Sequence, residues 1–430
     1  MIELPQLVAD ASPAELLPAR RASEADRVEL PWTIVASLGL GSTRDHGGEA
    51  WLLVLEDARG ERFGVPAVVR QGRLRRARAG DGVAEALIAT LAQGSDVPGL
   101  SFEVFGTVDE LTGEEAFDVD QTNELLVVGD RAVVKWYLHP TEAAQPAPDR
   151  MATLARAGFG GTPRTWAIAR LAVPGSTALV ATVVDYVPDS QDGWEWAVDN
   201  VRHLVRGEIG DGRAWVHDLA ELVARMHVAL AGAGTDEASS AQVEGWLATA
   251  VVELARYEDA VSPETYGLAL ERMAVVSECA ETPLIDVHGD LHIGQILCAS
   301  GRYFVIDFDG NPTLEPEQRL ARQPAARDVA GMLASLDHVG RVVLHRTEDL
   351  DELQRHRVLS WIEDAQVTFL DAYHLALAEA GHADLLDDRL VLPFQIQQEF
   401  REFAYAERYL PHWRYVPDAA LPALLSRGHA

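Results

Sequence analysis

One run, residues 287–312 (VHGDLHIGQILCASGRYFVIDFDGNP), constrains this chain more than any other stretch. A polar loop, His288-Gly289-Asp290, is followed five positions after its carboxylate by the amide of Gln295. A β-rich run over 303–306 then delivers Asp307 and Asp309 at its carboxyl end. An isolated Gly-Asp pair usually marks only a tight turn. Here three polar positions are fixed by spacing and a strand precedes the second acid, so the stretch reads as a reactive centre.

Phosphoryl transfer is the chemistry that asks for this set. It needs a carboxylate beside the acceptor hydroxyl and oxygen ligands for a divalent cation that neutralises phosphate charge. Asp290 is the expected hydroxyl-positioning base. Gln295 and Asp307 are the expected Mg²⁺ ligands, since that hard ion prefers oxygen and is held by few protein groups plus phosphates and water. The spacing reproduces the kinase pattern H-x-D-x-x-x-x-N…D-F, with an amide at the same offset.

A count supports the same chemistry. The chain has 36 basic residues, of which Lys135 is the single lysine. In so strong a bias toward arginine, Lys135 is expected where a compact ammonium serves and a planar guanidinium does not. A slot between ATP phosphates and an acidic helix residue is such a place. The acidic partner is Asp149 or Glu142, and the spacing does not choose between them.

With 430 residues, two or three domains are expected. A net charge of −31 repels nucleic acid and anionic membrane, so the expected partners are a small-molecule acceptor and ATP. The same surface favours a cationic acceptor, although solubility alone accounts for most of it. Two cysteines form no disulfide framework, and no apolar run reaches membrane-spanning length. The start of the chain lacks the basic and apolar regions of a signal peptide, so the cytoplasm is the expected compartment; the sequence gives no oligomeric state, and a monomer is a guess.

Along the chain, short apolar runs broken by Gly and Asp suggest a β-rich amino-terminal cap over 1–105, with a helix near 84–91. The arginine-rich tract 71–78 reads as a solvated strand or turn edge. A second part, 106–190, holds two apolar runs joined by Gly129-Asp130, a hairpin carrying Lys135 on its second strand. Gln121, Thr122 and Asn123 ahead of it are candidate phosphate-loop residues or a plain β-turn. The run ending Asp185-Tyr186-Val187-Pro188 suggests a hinge whose backbone at Tyr186 and Val187 meets adenine, Pro188 stiffening the crossing. From 191 to 430 helices dominate, with the 214–231 segment clearly amphipathic. His227 on it is expected to be structural. Near the end, Gln398, Glu402, Tyr405 and Tyr409 recur on one helical face, suited to hydroxyl and ammonium recognition, with Trp413 as an apolar wall for a sugar ring.

The HGDLH loop, the following amide and the D-F pair resemble the aminoglycoside phosphotransferase superfamily. Gln295 with the D-F-D-G-N-P segment, Asp192-Gly193-Trp194, and R-D-V-A-G-M-L at 327–333 are similar to its maltokinase branch, whose architecture actinobacterial glucosamine kinases share. The resemblance implies an α+β, bilobal, protein-kinase-like fold with an amino-terminal cap and a helical carboxyl-terminal lobe. It implies an ATP- and Mg²⁺-dependent sugar kinase, with D-glucosamine phosphorylated at its 6-hydroxyl as the leading acceptor. Asp290, Asp309, Gln398, Glu402, Tyr405 and Trp413 then form the sugar site. Maltose, an aminoglycoside, or a nucleotide-binding module without catalysis are the alternatives.

Overall fold

The computed structural model describes residues 3–18, 21–43, 47–94, 98–116, 124–140, 145–208 and 212–427. Its contacts form two units, residues 1–148 with 163–188, and residues 149–162 with 189–430.

The first unit holds two antiparallel sheets. Strands β1 (Thr33–Ser42), β2 (Glu49–Glu56), β3 (Arg62–Arg70) and β4 (Arg73–Arg76) pair in sequence order. Strands β5 (Leu100–Val104), β6 (Glu114–Ala116), β7 (Glu124–Val128), β8 (Ala132–Trp136), β9 (Thr165–Val173) and β10 (Ser176–Asp185) pair in the order β5-β9-β10-β8-β7-β6. Alternation along β2 explains how the layers stack. Ala50, Leu52 and Val54 join the helix Val83–Ala92 and the Trp136 and Trp166 side of the second sheet in one core. Leu53 and Leu55 face the other way, onto Leu7, Val8, Leu16 and Leu17 of short amino-terminal helices. Those helices escaped the sequence reading because each is at most 7 residues long.

The hairpin β7–β8 forms as its turn residues dictate. Gly129 and Asp130 both adopt left-handed backbone, with φ of 59° and 52°. Two such residues match the twist of the flanking strands. The arginine-rich tract departs from expectation. Arg76 is 4% exposed, and its Nε donates to Glu124 at 2.5 Å while Nη1 donates to the Gly64 carbonyl at 3.1 Å. A buried guanidinium needs such acceptors, so β4 is the edge strand expected, but one fastened at Arg76 instead of solvated there.

The second unit is built round the helix Ala326–Arg346, which is buried along most of its length. Helices Gly193–Val205, Glu352–Glu379, Val391–Arg408 and Tyr415–Arg427 pack on it. Ala214–Ala231 packs in turn on Glu352–Glu379. Strands β11 (Asp236–Glu237) and β12 (Pro283–Leu284) form a small ribbon ahead of the reactive loop. Strands β13 (Ile296–Ala299) and β14 (Arg302–Val305) form the hairpin that follows it. Two glycines admit that loop into the helical body: a Cβ on Gly193 would collide with the Ile293 carbonyl, and one on Gly331 with that of Leu291. No helix among the described residues is long and apolar enough to cross a membrane.

Candidate active site

The loop 286–295 has little regular structure of its own, so its shape comes from buried partners. Asp328 reaches it from the first turn of the 326–346 helix. Its Oδ2 accepts the His288 amide at 2.7 Å and its Oδ1 the Gly289 amide at 2.8 Å. Burial alone would raise the Asp328 pKa, but the His227 hydrogen bond, the two nearby histidines and the Gly289 amide hold it below the usual carboxylate range. His227 Nε2 lies 3.0 Å from the same carboxylate and His227 Nδ1 2.6 Å from the Tyr373 hydroxyl. His227 is therefore buried, as expected, and its ring also braces the loop from behind.

His288 is wholly buried and its pKa is lowered, chiefly by burial, which favours the neutral ring. Its Nε2 lies 2.9 Å from the Ile306 carbonyl and must carry the proton to donate there. Nδ1 is then the acceptor for the Asp290 amide at 3.3 Å. The ring thus ties the loop of Asp290 to the residue before Asp307. Asp307 has left-handed backbone, φ 62°, uncommon for a residue with a side chain. Its carboxylate side is exposed, whereas Asp309 and Gln295 are half-buried.

Asp290 is the group whose environment suits a base. Burial raises its pKa, the neighbouring imidazoles partly offset that, and Asp307 raises it further. The expected base and the expected metal carboxylate therefore feel one another's charge. Gln295 is anchored by its backbone, which donates to the His292 carbonyl and accepts from the Ile306 amide, both at 2.9 Å.

On the helix Val391–Arg408, the expected acceptor face is partly assembled. Gln398 donates to Glu402 Oε1 at 2.9 Å, and the Trp413 indole donates to Glu402 Oε2 at 2.8 Å. Trp194 meets Trp413 edge to face at 5.7 Å, and its indole nitrogen lies beside Gly294 of the reactive loop. The aromatic pair thus links the Glu402 cluster to the loop of Asp290. Tyr405 stands apart, 46% exposed and 5.6 Å from the Tyr409 ring. Behind the face, His338 Nε2 lies 2.9 Å from Glu399. Its imidazole is pushed up to about 9 against the cost of burial by Glu399, Glu402 and Asp337.

Three contributors were not singled out from sequence as site residues. Trp194 was noted only as part of a D-G-W match. Arg401 pairs with Glu253 at 3.1 Å, and its charge reaches Asp290. Arg150 donates to the carbonyls of His288 and Phe308. Arg327, beside Asp328 in sequence, does not reach the loop contacts of its neighbour; it donates to Gln397 at 2.5 Å and covers the Phe394 ring at 3.7 Å. The chain turns there, so neighbouring side chains leave the helix on different faces.

The expected nucleotide residues lie in the first unit. Lys135 sits on β8, opposite Leu125 and Thr182, with its ammonium 5.6 Å from the Tyr137 ring centre. The Tyr186 amide donates to the Arg131 carbonyl at 2.8 Å, and Val187 is half-buried at the end of β10. Gln121, Thr122, Asn123 and Glu142 lie outside the described residues. Asp149 is exposed in the first turn of the helix Ala147–Arg156.

No family model matches the chain. It is 47% identical over 441 aligned residues to a glucosamine kinase of Streptacidiphilus jiangxiensis, covering 98% of this chain and 97% of that protein. A glucosamine kinase of Mycolicibacterium smegmatis is 40% identical, covering 83% of this chain and 91% of its own. Among solved structures, a glucosamine kinase in complex with glucosamine, ADP and inorganic phosphate superposes with a TM-score of 0.87 at 43% identity, covering 99% of each chain. A second crystal form of a glucosamine kinase gives 0.88 over 99% of this chain and all of its own, also at 43% identity.

Proposed function

The chain belongs to the glucosamine kinase family, and from that membership we propose that it moves the γ-phosphoryl group of ATP onto the 6-hydroxyl of D-glucosamine. The observation that carries this reading is 47% identity spread over nearly the whole of both chains.

In this reading Asp290 orients the 6-hydroxyl and takes its proton as the oxygen attacks phosphorus. The bond from phosphorus to the ADP oxygen breaks, and ADP leaves with that electron pair. The raised pKa of Asp290 suits a group that must first accept a proton. Glu402 takes the ammonium of the sugar, Gln398 a hydroxyl, and the Trp413 and Trp194 rings an apolar face. Asp309 borders the sugar. Lys135 holds phosphate oxygens, and the backbone at Tyr186 and Val187 meets adenine.

The donor set suits Mg²⁺. Asp307 and Gln295 offer hard oxygen atoms, and the repulsion between Asp307 and Asp290 is what a divalent cation at Asp307 offsets. When bound, the ion neutralises charge that develops on the phosphates.

The test is an ATP-consumption assay across glucosamine, glucose, maltose and kanamycin, with the phosphorylated position read by phosphorus-coupled NMR. Glucosamine should be preferred and the 6-phosphate formed. A preference for maltose would overturn the reading, and no ATP consumption with any acceptor would point to a nucleotide-binding module.

A further inference from the structure

One guanidinium in the second unit touches three separate segments. Arg150, in the helix Ala147–Arg156, is 4% exposed. Its Nη1 donates to the carbonyls of His288 and Phe308, and its Nη2 to that of Arg319, each at 2.9 Å. His288 lies two residues before Asp290, and Phe308 directly follows Asp307. We propose that Arg150 is a positioning residue for phosphoryl transfer, the side chain that sets the separation between the Asp290 loop and the Asp307 turn. The proposal rests on the kinase reading above.

Both neighbours of Asp307 are thereby held to residue 288. The His288 ring takes the Ile306 carbonyl, and Arg150 spans from the His288 carbonyl to that of Phe308. Without the guanidinium, the Phe308 side of the turn loses its hydrogen-bonded tie to residue 288 and keeps the ring contact of Phe308 with His288, 5.0 Å between centres. The left-handed backbone at Asp307 sharpens this need, since such a conformation persists only where the surroundings over-determine it. The loop lies directly against the clamp: a Cβ on Gly289 would stand in ordinary van der Waals contact, 3.6 Å from Gly310 and 3.8 Å from both terminal nitrogens of Arg150.

Arginine is the residue this clamp requires. A rigid planar fork can bind three carbonyls at fixed angles, whereas an ammonium on a flexible stem is a point donor. Nor is stability a sufficient reason for it. Burying a cation costs more than burying an apolar side chain of the same volume. The carboxylates of Asp328, Asp286 and Asp309 offset that cost through their field.

Arg150→Lys and Arg150→Ala separate positioning from mere support. Each should lower kcat by about 10- to 100-fold, as expected for an ångström-scale misplacement of reacting groups. The Michaelis constant for glucosamine should change by less than about 3-fold, because the amine-binding groups are untouched. Millimolar guanidinium should restore part of the kcat of Arg150→Ala, and tetramethylammonium at equal ionic strength should not. Independently of turnover, the rise in melting temperature on adding Mg·ADP should shrink in both variants. Wild-type kcat per folded molecule with a full Mg·ADP shift in Arg150→Lys would overturn the proposal, and so would impairment of Arg150→Ala that guanidinium leaves unchanged. Should Arg150→Ala not fold, the lysine variant decides alone. A wild-type enzyme inactive on glucosamine would sink the substrate reading, while the Mg·ADP shift would still judge the clamp.

Discussion

Trp413 donates its indole N–H to Glu402 across 2.8 Å, so one carboxylate both orients the ring and keeps a negative charge beside it. Glu402→Gln separates the two roles, since the amide oxygen can still accept from Trp413 while the charge is gone. A hydrogen bond to a charged group contributes about 1.5–3 kcal/mol. The Michaelis constant for glucosamine should therefore rise about 10-fold, and that for glucose far less. Equal effects on both sugars would remove Glu402 from amine recognition.

Asp290→Asn should lower kcat by about 10²-fold or more with the fold intact, because the amide cannot accept the hydroxyl proton. The pH profile carries a second sign of the same role. The base must be deprotonated, and burial followed by the charge of Asp307 raises its pKa above the ordinary 3.8. Activity should therefore fall, as pH is lowered, at a point above that of an unperturbed carboxylate. A rate unchanged in the asparagine variant would refute the assignment.

His338 predicts a stability trend of its own. Its folded-state pKa stands near 9 against an ordinary 6.5, because it faces the carboxylates of Glu399, Glu402 and Asp337. A group whose pKa is raised by folding stabilises fully below its unfolded value, and that contribution is lost as pH rises through the folded one. Thermal midpoints should thus decline from about pH 6.5 to about 9, and His338→Gln should flatten that slope. A wild-type midpoint constant over the interval would contradict the pairing.

Gly331→Ala puts a methyl group into the Leu291 carbonyl. Either the 326–346 helix or the reactive loop must shift, at a cost of about 1–3 kcal/mol for an overpacked site. Circular-dichroism melting should show the loss, accompanied by a fall in kcat. A variant with unchanged melting and turnover would show that the approach is looser than described.

The loop of Asp290, the hairpin of Lys135 and the amphipathic helix 214–231 were legible because each is written in short-range pattern: turn residues, β-branched runs, a 3.6-residue period. The bracing was not legible. Arg150 meets its carbonyl acceptors 138 and 158 positions away, and His227 meets Asp328 101 positions away. No local spacing encodes such contacts. Arg76 was misread for a related reason, since its half-buried acceptor Glu124 lies 48 positions on, in the other sheet. On the acceptor helix, periodicity put Tyr405 on the same face as Glu402, but it could not say how far along that face the aromatic cluster extends. Trp194 completes the cluster from a distant helix.

The solitary lysine on β8 also makes the protein a convenient object for covalent labelling. Amine-selective reagents pass over guanidinium groups, so a dye or an isotopically tagged acetyl group has only one side chain in 430 residues to modify. Protection of that one peptide by ATP, read by mass spectrometry, would report nucleotide occupancy directly, without mutagenesis and without a coupled assay.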